Sequence, residues 1–148
     1  MNDYYKINSR TADGEATLFD VSLLPDYCVY SGHFPGNPIS PGVCSIQMIK
    51  ECAEQLTGHR LFLAYISKCR FSAMISPKMT PRLLLRMHLS KDGFRFPANS
   101  LHGSNGILQR SFEQHINFSE MFNIIATLFD DTTSYIEFKG EFACRTEN

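Results

Sequence analysis

Residues 32 to 43, Gly-His-Phe-Pro-Gly-Asn-Pro-Ile-Ser-Pro-Gly-Val, run straight into an amphipathic segment and bring together two kinds of group that act on an acyl carbon. His33 is an imidazole in a proline-stiffened turn, and its unperturbed pKa of about 6.5 suits a general base near neutrality. Gly42 opens the helix that follows. A helix start carries unpaired backbone N–H groups and a partial positive charge, so a carbonyl oxygen placed there is polarised. A residue without a side chain lets that carbonyl come close, whereas Pro41 has no N–H to offer and only orients the turn. With a thioester carbonyl on the Gly42 N–H, the α-proton becomes acidic and His33 is the base that removes it. Protonation of a β-hydroxyl then releases water and leaves an α,β-unsaturated thioester. A lone loop histidine is by default a surface or hydrogen-bonding residue, and the dense proline and glycine setting is what lifts His33 above that default. His59, His88, His102 and His115 lack metal-ligand spacing and are read as structural or surface residues.

The elements that must hold this turn follow from periodicity. Gly42 to Leu56 places apolar residues at Val43, Ile46, Ile49, Ala53 and Leu56, a helical period, and Gly58 is suited to a left-handed cap. Its polar arc, Gln47, Lys50, Glu51 and Glu54, is read by default as a solvated face. Ahead of it, Phe19, Val21 and Leu23 alternate with Leu18, Asp20 and Ser22, and Ala-Asp-Gly at 12 to 14 signals a turn, so residues 4 to 24 are expected to form two short strands. Between Pro25 and Pro41 four prolines and two glycines predict an ordered loop. After the helix the pattern suits strands at Arg60–Ile66, Cys69–Ile75, Arg82–Leu89, Asn123–Phe129 and Ser134–Cys144, with Pro77, Pro81 and the Asp-Asp-Thr-Thr at 130 to 133 as breaks. One long helix followed by strands with short turns predicts the α+β class. Residues 91 to 121 mix turn signals with a weak apolar pattern and are read as an insertion-like excursion within a single domain spanning 1 to 148.

Composition narrows the possibilities further. A chain of 148 residues with 43% hydrophobic content buries a core of its own. Its formal net charge of −1, with the signs evenly mixed, gives no electrostatic footprint for nucleic acid or an anionic membrane. No apolar run approaches the roughly 18 residues of a membrane span, and the first residues lack the layout of a secretory signal, so a cytoplasmic protein is expected. The five cysteines, at 28, 44, 52, 69 and 144, are odd in number and widely spaced, and are read as reduced thiols, mostly in the core.

Gly-His-Phe-Pro-Gly-x-Pro-x-x-Pro-Gly-Val followed by a helix resembles the signature of the β-hydroxyacyl-acyl-carrier-protein dehydratases. The match is dense over residues 31 to 58, and elsewhere it extends only to the strand pattern. The resemblance implies a hot-dog fold, a curved antiparallel sheet wrapped around one long central helix. It implies His33 as base, Gly42 as the N–H that binds the thioester carbonyl, and an acid further into the helix acting on the hydroxyl. That acid falls at Gln47, an amide that cannot deliver a proton at neutral pH. One turn on, where the family usually has Gln, stands Glu51. Residues four apart share a helix face, about 6 Å apart along the axis, so Glu51 is the alternative acid.

Three expectations follow: a lyase that dehydrates β-hydroxyacyl thioesters on acyl carrier protein in fatty-acid or related acyl synthesis; a catalytically impaired acyl-binding subunit of a mixed dimer; or an acyl-thioester binder such as a chaperone or scaffold. A thioesterase is a lesser alternative on the same fold. Tyr30, Phe34, Ile39 and Val43 are the candidate lining of an apolar substrate tunnel. Lys68, Arg70 and Lys78 are candidate contacts for an acidic carrier protein. An exposed sheet edge favours a dimer of this chain. The chemistry calls for no metal or organic cofactor.

Overall fold

The computed structural model describes residues 4–24, 39–92 and 118–145. Strands β1 (Tyr5–Asp13) and β2 (Ala16–Leu23) form a hairpin, followed by helix α1 (Gly42–Thr57), then β3 (Leu61–Phe71), β4 (Arg82–Asp92), β5 (Phe118–Phe129) and β6 (Ser134–Arg145). The six strands make one sheet in the order β1-β2-β4-β5-β6-β3, every pairing antiparallel. The helix thus carries the chain from the β1–β2 hairpin at one side of the sheet to β3 at the opposite edge, beside β6.

The hairpin forms where the turn signal stood. Gly14 takes φ 63°, a left-handed conformation open to glycine at no steric cost. Period-two burial then lines the face that meets the helix: Phe19, Val21 and Leu23 on β2, Leu83, Leu85 and Met87 on β4, Ile124, Ala126 and Leu128 on β5, and Ile136, Phe138 and Phe142 on β6. The helix ends at Gly58, whose φ of 72° and N–H bond to the Glu54 carbonyl are those of the expected cap. Asp130 caps the β5–β6 turn by accepting from the N–H groups of Thr132 and Thr133 and from the Tyr135 hydroxyl.

Two sequence expectations need correction. The runs Arg60–Ile66 and Cys69–Ile75 are not separate strands but one, β3, which ends at Phe71. Ser67 and Lys68 do not break it, because irregularities at Leu63/Tyr65 and Ile66/Lys68 absorb the change of register while the Ser67 hydroxyl bonds the Lys139 carbonyl. The second concerns the helix stripe. Ile49 and Ala53 are buried and Ile46 and Leu56 pack against the core as expected, but Cys44, Met48 and Cys52 are buried with them and Val43 is left 72% exposed. A stripe read from aliphatic residues alone was too narrow on the side of the thiols and wrongly included Val43. Of the excursion at 91 to 121, only 91–92 and 118–121 are described, as the end of β4 and the start of β5.

The sheet curls so that both edges reach the helix. From β1, the Tyr5 hydroxyl donates to Glu51; from β3, the Leu61 N–H donates to Glu54 and the Phe62 ring lies 6.0 Å from the Lys50 ammonium. The polar arc is therefore largely engaged by the two edge strands rather than simply solvated.

Candidate active site

The opening of α1 is tied down from three directions. Ser40, almost fully buried, donates its N–H to the Ile75 carbonyl, and its hydroxyl is bonded to that of Tyr4, which is itself wholly buried. Pro41 then enters the helix in extended conformation, and its carbonyl accepts the first helical bonds, from the N–H groups of Cys44 and Ser45. Among the described residues no side chain caps this start, and no acidic residue occupies its first turn. The third contact comes from Phe71, at the end of β3, whose ring lies against Gly42: a Cβ built there would stand 2.7 Å from Cζ and 2.8 Å from Cε1. The absence of a side chain at residue 42 thus makes room first for this aromatic ring. Phe71 is 52% exposed, and Val43 and Met74 are also exposed.

Further into the helix, Gln47 and Glu51 are directly linked. The Gln47 Nε2 donates to Glu51 Oε2 at 3.0 Å, and the Tyr5 hydroxyl donates to Glu51 Oε1 at 2.8 Å. A carboxylate only accepts, so the orientation of the Gln47 amide follows from its partner. Burial, with Cys52 and Glu51 as neighbours, pushes the Tyr5 hydroxyl well above the ordinary phenol range, so it stays a donor. Cys52, fully buried beside it, has its thiol pushed up to about 12, chiefly by burial.

The sequence candidates are thus partly assembled. Gly42, Gln47 and Glu51 lie on one helix, with Gln47 and Glu51 in contact; Ile39 is partly buried just before it, and Val43 faces outward from this chain. His33, Tyr30 and Phe34 lie outside the described residues. Lys68 pairs with Glu137 at 3.3 Å, while Arg70 and Lys78 are exposed. Tyr4, Tyr5 and Phe71 were not singled out from sequence. Their one signal was two adjacent tyrosines at the start of a strand, whose hydroxyls need partners once buried. Among the described residues no cluster of three or more His, Cys, Asp or Glu side chains is placed to hold a metal ion, and no helix is long and apolar enough to cross a membrane.

Among the described residues one helix is gripped by a six-stranded antiparallel sheet, the arrangement of the hot-dog fold, and comparison with solved structures agrees. A chain of the dehydratase heterocomplex ApeI:P from Xenorhabdus doucetiae superposes with a TM-score of 0.54 at 18% identity, over 95% of this chain and 97% of that one. The model of the ApeI-like family, described as ApeI dehydratase, matches residues 9–107, and the chain belongs to that family. Among curated proteins, the 3-hydroxyacyl-[acyl-carrier-protein] dehydratase FabZ of Lactobacillus helveticus is 30% identical over 86 residues, 53% of this chain and 58% of that protein. The FabZ of Lactiplantibacillus plantarum is 27% identical over 81 residues, 50% of this chain and 55% of that protein. The chain therefore spans somewhat over half the length of these relatives.

Proposed function

We propose that this chain dehydrates β-hydroxyacyl thioesters carried on acyl carrier protein. The observation that carries the reading is the hydrogen bond between Gln47 and Glu51, which sets a carboxylate directly beside the position where the resemblance calls for an acid. The thioester carbonyl binds the Gly42 N–H at the helix opening, which takes up the negative charge that develops on oxygen. His33 removes the α-proton, the C–C double bond forms, and the C–O bond to the β-hydroxyl breaks. The departing hydroxyl needs one proton to leave as water; Glu51, entering this step as the neutral acid, gives it directly or through water held at Gln47, and the α-proton taken by His33 then restores it. Acyl contacts fall to Ile39 and Val43, together with Tyr30 and Phe34, and the active assembly is a dimer.

The test is enoyl-thioester absorbance on adding a β-hydroxyacyl thioester to the purified protein. Turnover that His33→Ala and Glu51→Gln each reduce by two orders of magnitude or more, the scale of general acid–base catalysis, supports the reading. Thiol release without enoyl product points to hydrolysis instead. A second reading draws on Gln47 itself: a chain lacking the acid at that position would be completed by a related partner, an arrangement in keeping with the heterocomplex named for the structural neighbour. A rise in turnover for Gln47→Glu, or on mixing with such a partner, favours it.

A further inference from the structure

We infer that Tyr5 is a positioning residue for the reaction, acting through Glu51; this rests on the dehydratase reading above. Tyr5 lies on edge strand β1, 46 positions before Glu51, and its hydroxyl occupies one carboxylate oxygen while the Gln47 amide occupies the other. Held at both oxygens, the carboxyl group loses the rotation about its terminal torsion that an exposed glutamate keeps. A group that must meet one hydroxyl of a bound substrate gains rate from that restriction, because effective molarity depends on orientation.

Three features favour positioning over simple packing. Adjacent Tyr4 already anchors this end of β1, being wholly buried and bonded to Ser40 at the helix entry, so the Tyr5 hydroxyl is not needed for that task. The two rings meet edge to face with centroids 5.9 Å apart, which fixes the Tyr5 ring without help from its hydroxyl. Finally, burial keeps the Tyr5 hydroxyl protonated, so it remains able to donate to the Glu51 carboxylate at 2.8 Å. Tyr4 and Tyr5 thus divide two tasks: one holds the helix opening, the other aims the carboxylate two turns further in.

The experiment is a double-mutant cycle on kcat, with Tyr5→Phe, Glu51→Gln and the double variant, alongside KM and the thermal midpoint. Tyr5→Phe is expected to lower kcat about tenfold, the kinetic equivalent of one charge-assisted hydrogen bond, with KM and midpoint little changed. In the Glu51→Gln background the same change is expected to alter kcat by less than about twofold, because its target is gone. Tyr5→His, which retains a donor, should recover part of the loss.

Effects that multiply independently in the two backgrounds overturn the inference and leave the dehydratase reading intact. So does a Tyr5→Phe variant that keeps full kcat while Glu51→Gln loses it, or one that fails to fold, since the hydroxyl is then structural. Full activity in Glu51→Gln, or no enoyl product from the wild-type chain, removes the role of Glu51 and this inference with it.

Discussion

Among the described residues two glycines, Gly42 and Gly140, sit against aromatic rings, and the structure separates what a methyl group would do at each. At Gly140 on β6, an added Cβ would stand 2.7 Å from the Tyr65 carbonyl oxygen and 2.8 Å from Phe138 Cζ. The carbonyl belongs to β3, which pairs with β6 through Tyr65↔Glu141 and Ile66↔Gly140, so it cannot retreat without disturbing the ladder. Phe138 is 2% exposed and has nowhere to turn. Overpacking of this kind costs about 1–3 kcal/mol, and the upper end applies because backbone must move. Replacing glycine returns about 0.5–1 kcal/mol through the unfolded chain, leaving a net loss of about 2 kcal/mol. For a domain of this size that lowers the thermal midpoint by about 4–8 °C.

At Gly42 the clash is equally short, 2.7 Å, but its partner is the end of a ring that is 52% exposed. Phe71 can swing into solvent, and alanine is the better helix former by up to about 1 kcal/mol. Gly42→Ala should therefore stay within about 1 kcal/mol of wild type while Gly140→Ala melts several degrees lower, as measured by thermal and urea denaturation of both variants. Equal destabilisation, or a silent Gly140→Ala, would refute the view that mobility of the neighbour, rather than its distance, sets the cost. Because Gly42→Ala is expected to fold and keeps its backbone N–H, a fall in its dehydration rate would report obstructed approach of the thioester to that group.

Other outcomes follow from particular groups. The Asp130 carboxyl is lowered from 3.8 to about 2, first by the Tyr135 hydroxyl and then by the Thr132 N–H. A depressed carboxylate pKa contributes stability above its unfolded value that is lost as pH falls through the folded one, so the advantage of wild type over Asp130→Asn should shrink between pH 4 and 2 in urea midpoints. The Cys52 thiol, pushed up to about 12, should resist alkylation in the native protein at pH 8 and react only on unfolding, as mass spectrometry of labelled peptides would report. Met48 is fully buried on the helix face that meets the sheet, and Met48→Ala should cost about 2–5 kcal/mol by urea denaturation.

Much of this molecule was written locally. The hairpin at Gly14, the helix between Gly42 and Gly58, and the alternating strands could be read because each depends on residues a few positions apart, through period and turn chemistry. That Gln47 and Glu51 would be neighbours was legible for the same reason, since four residues of helix fix their spacing. Tertiary structure decided the rest. How wide the buried helix stripe is, taking in Cys44, Met48 and Cys52 and leaving out Val43, depended on the fit against several strands. Continuity of β3 depended on a partner strand able to accommodate its irregularities. That Tyr5 grips Glu51, and that Phe71 lies on Gly42, arise only when a sheet with β1 and β3 at opposite edges closes around the helix. Periodicity tells an element which face it will bury; the curl and order of the whole sheet determine which distant side chain it will meet.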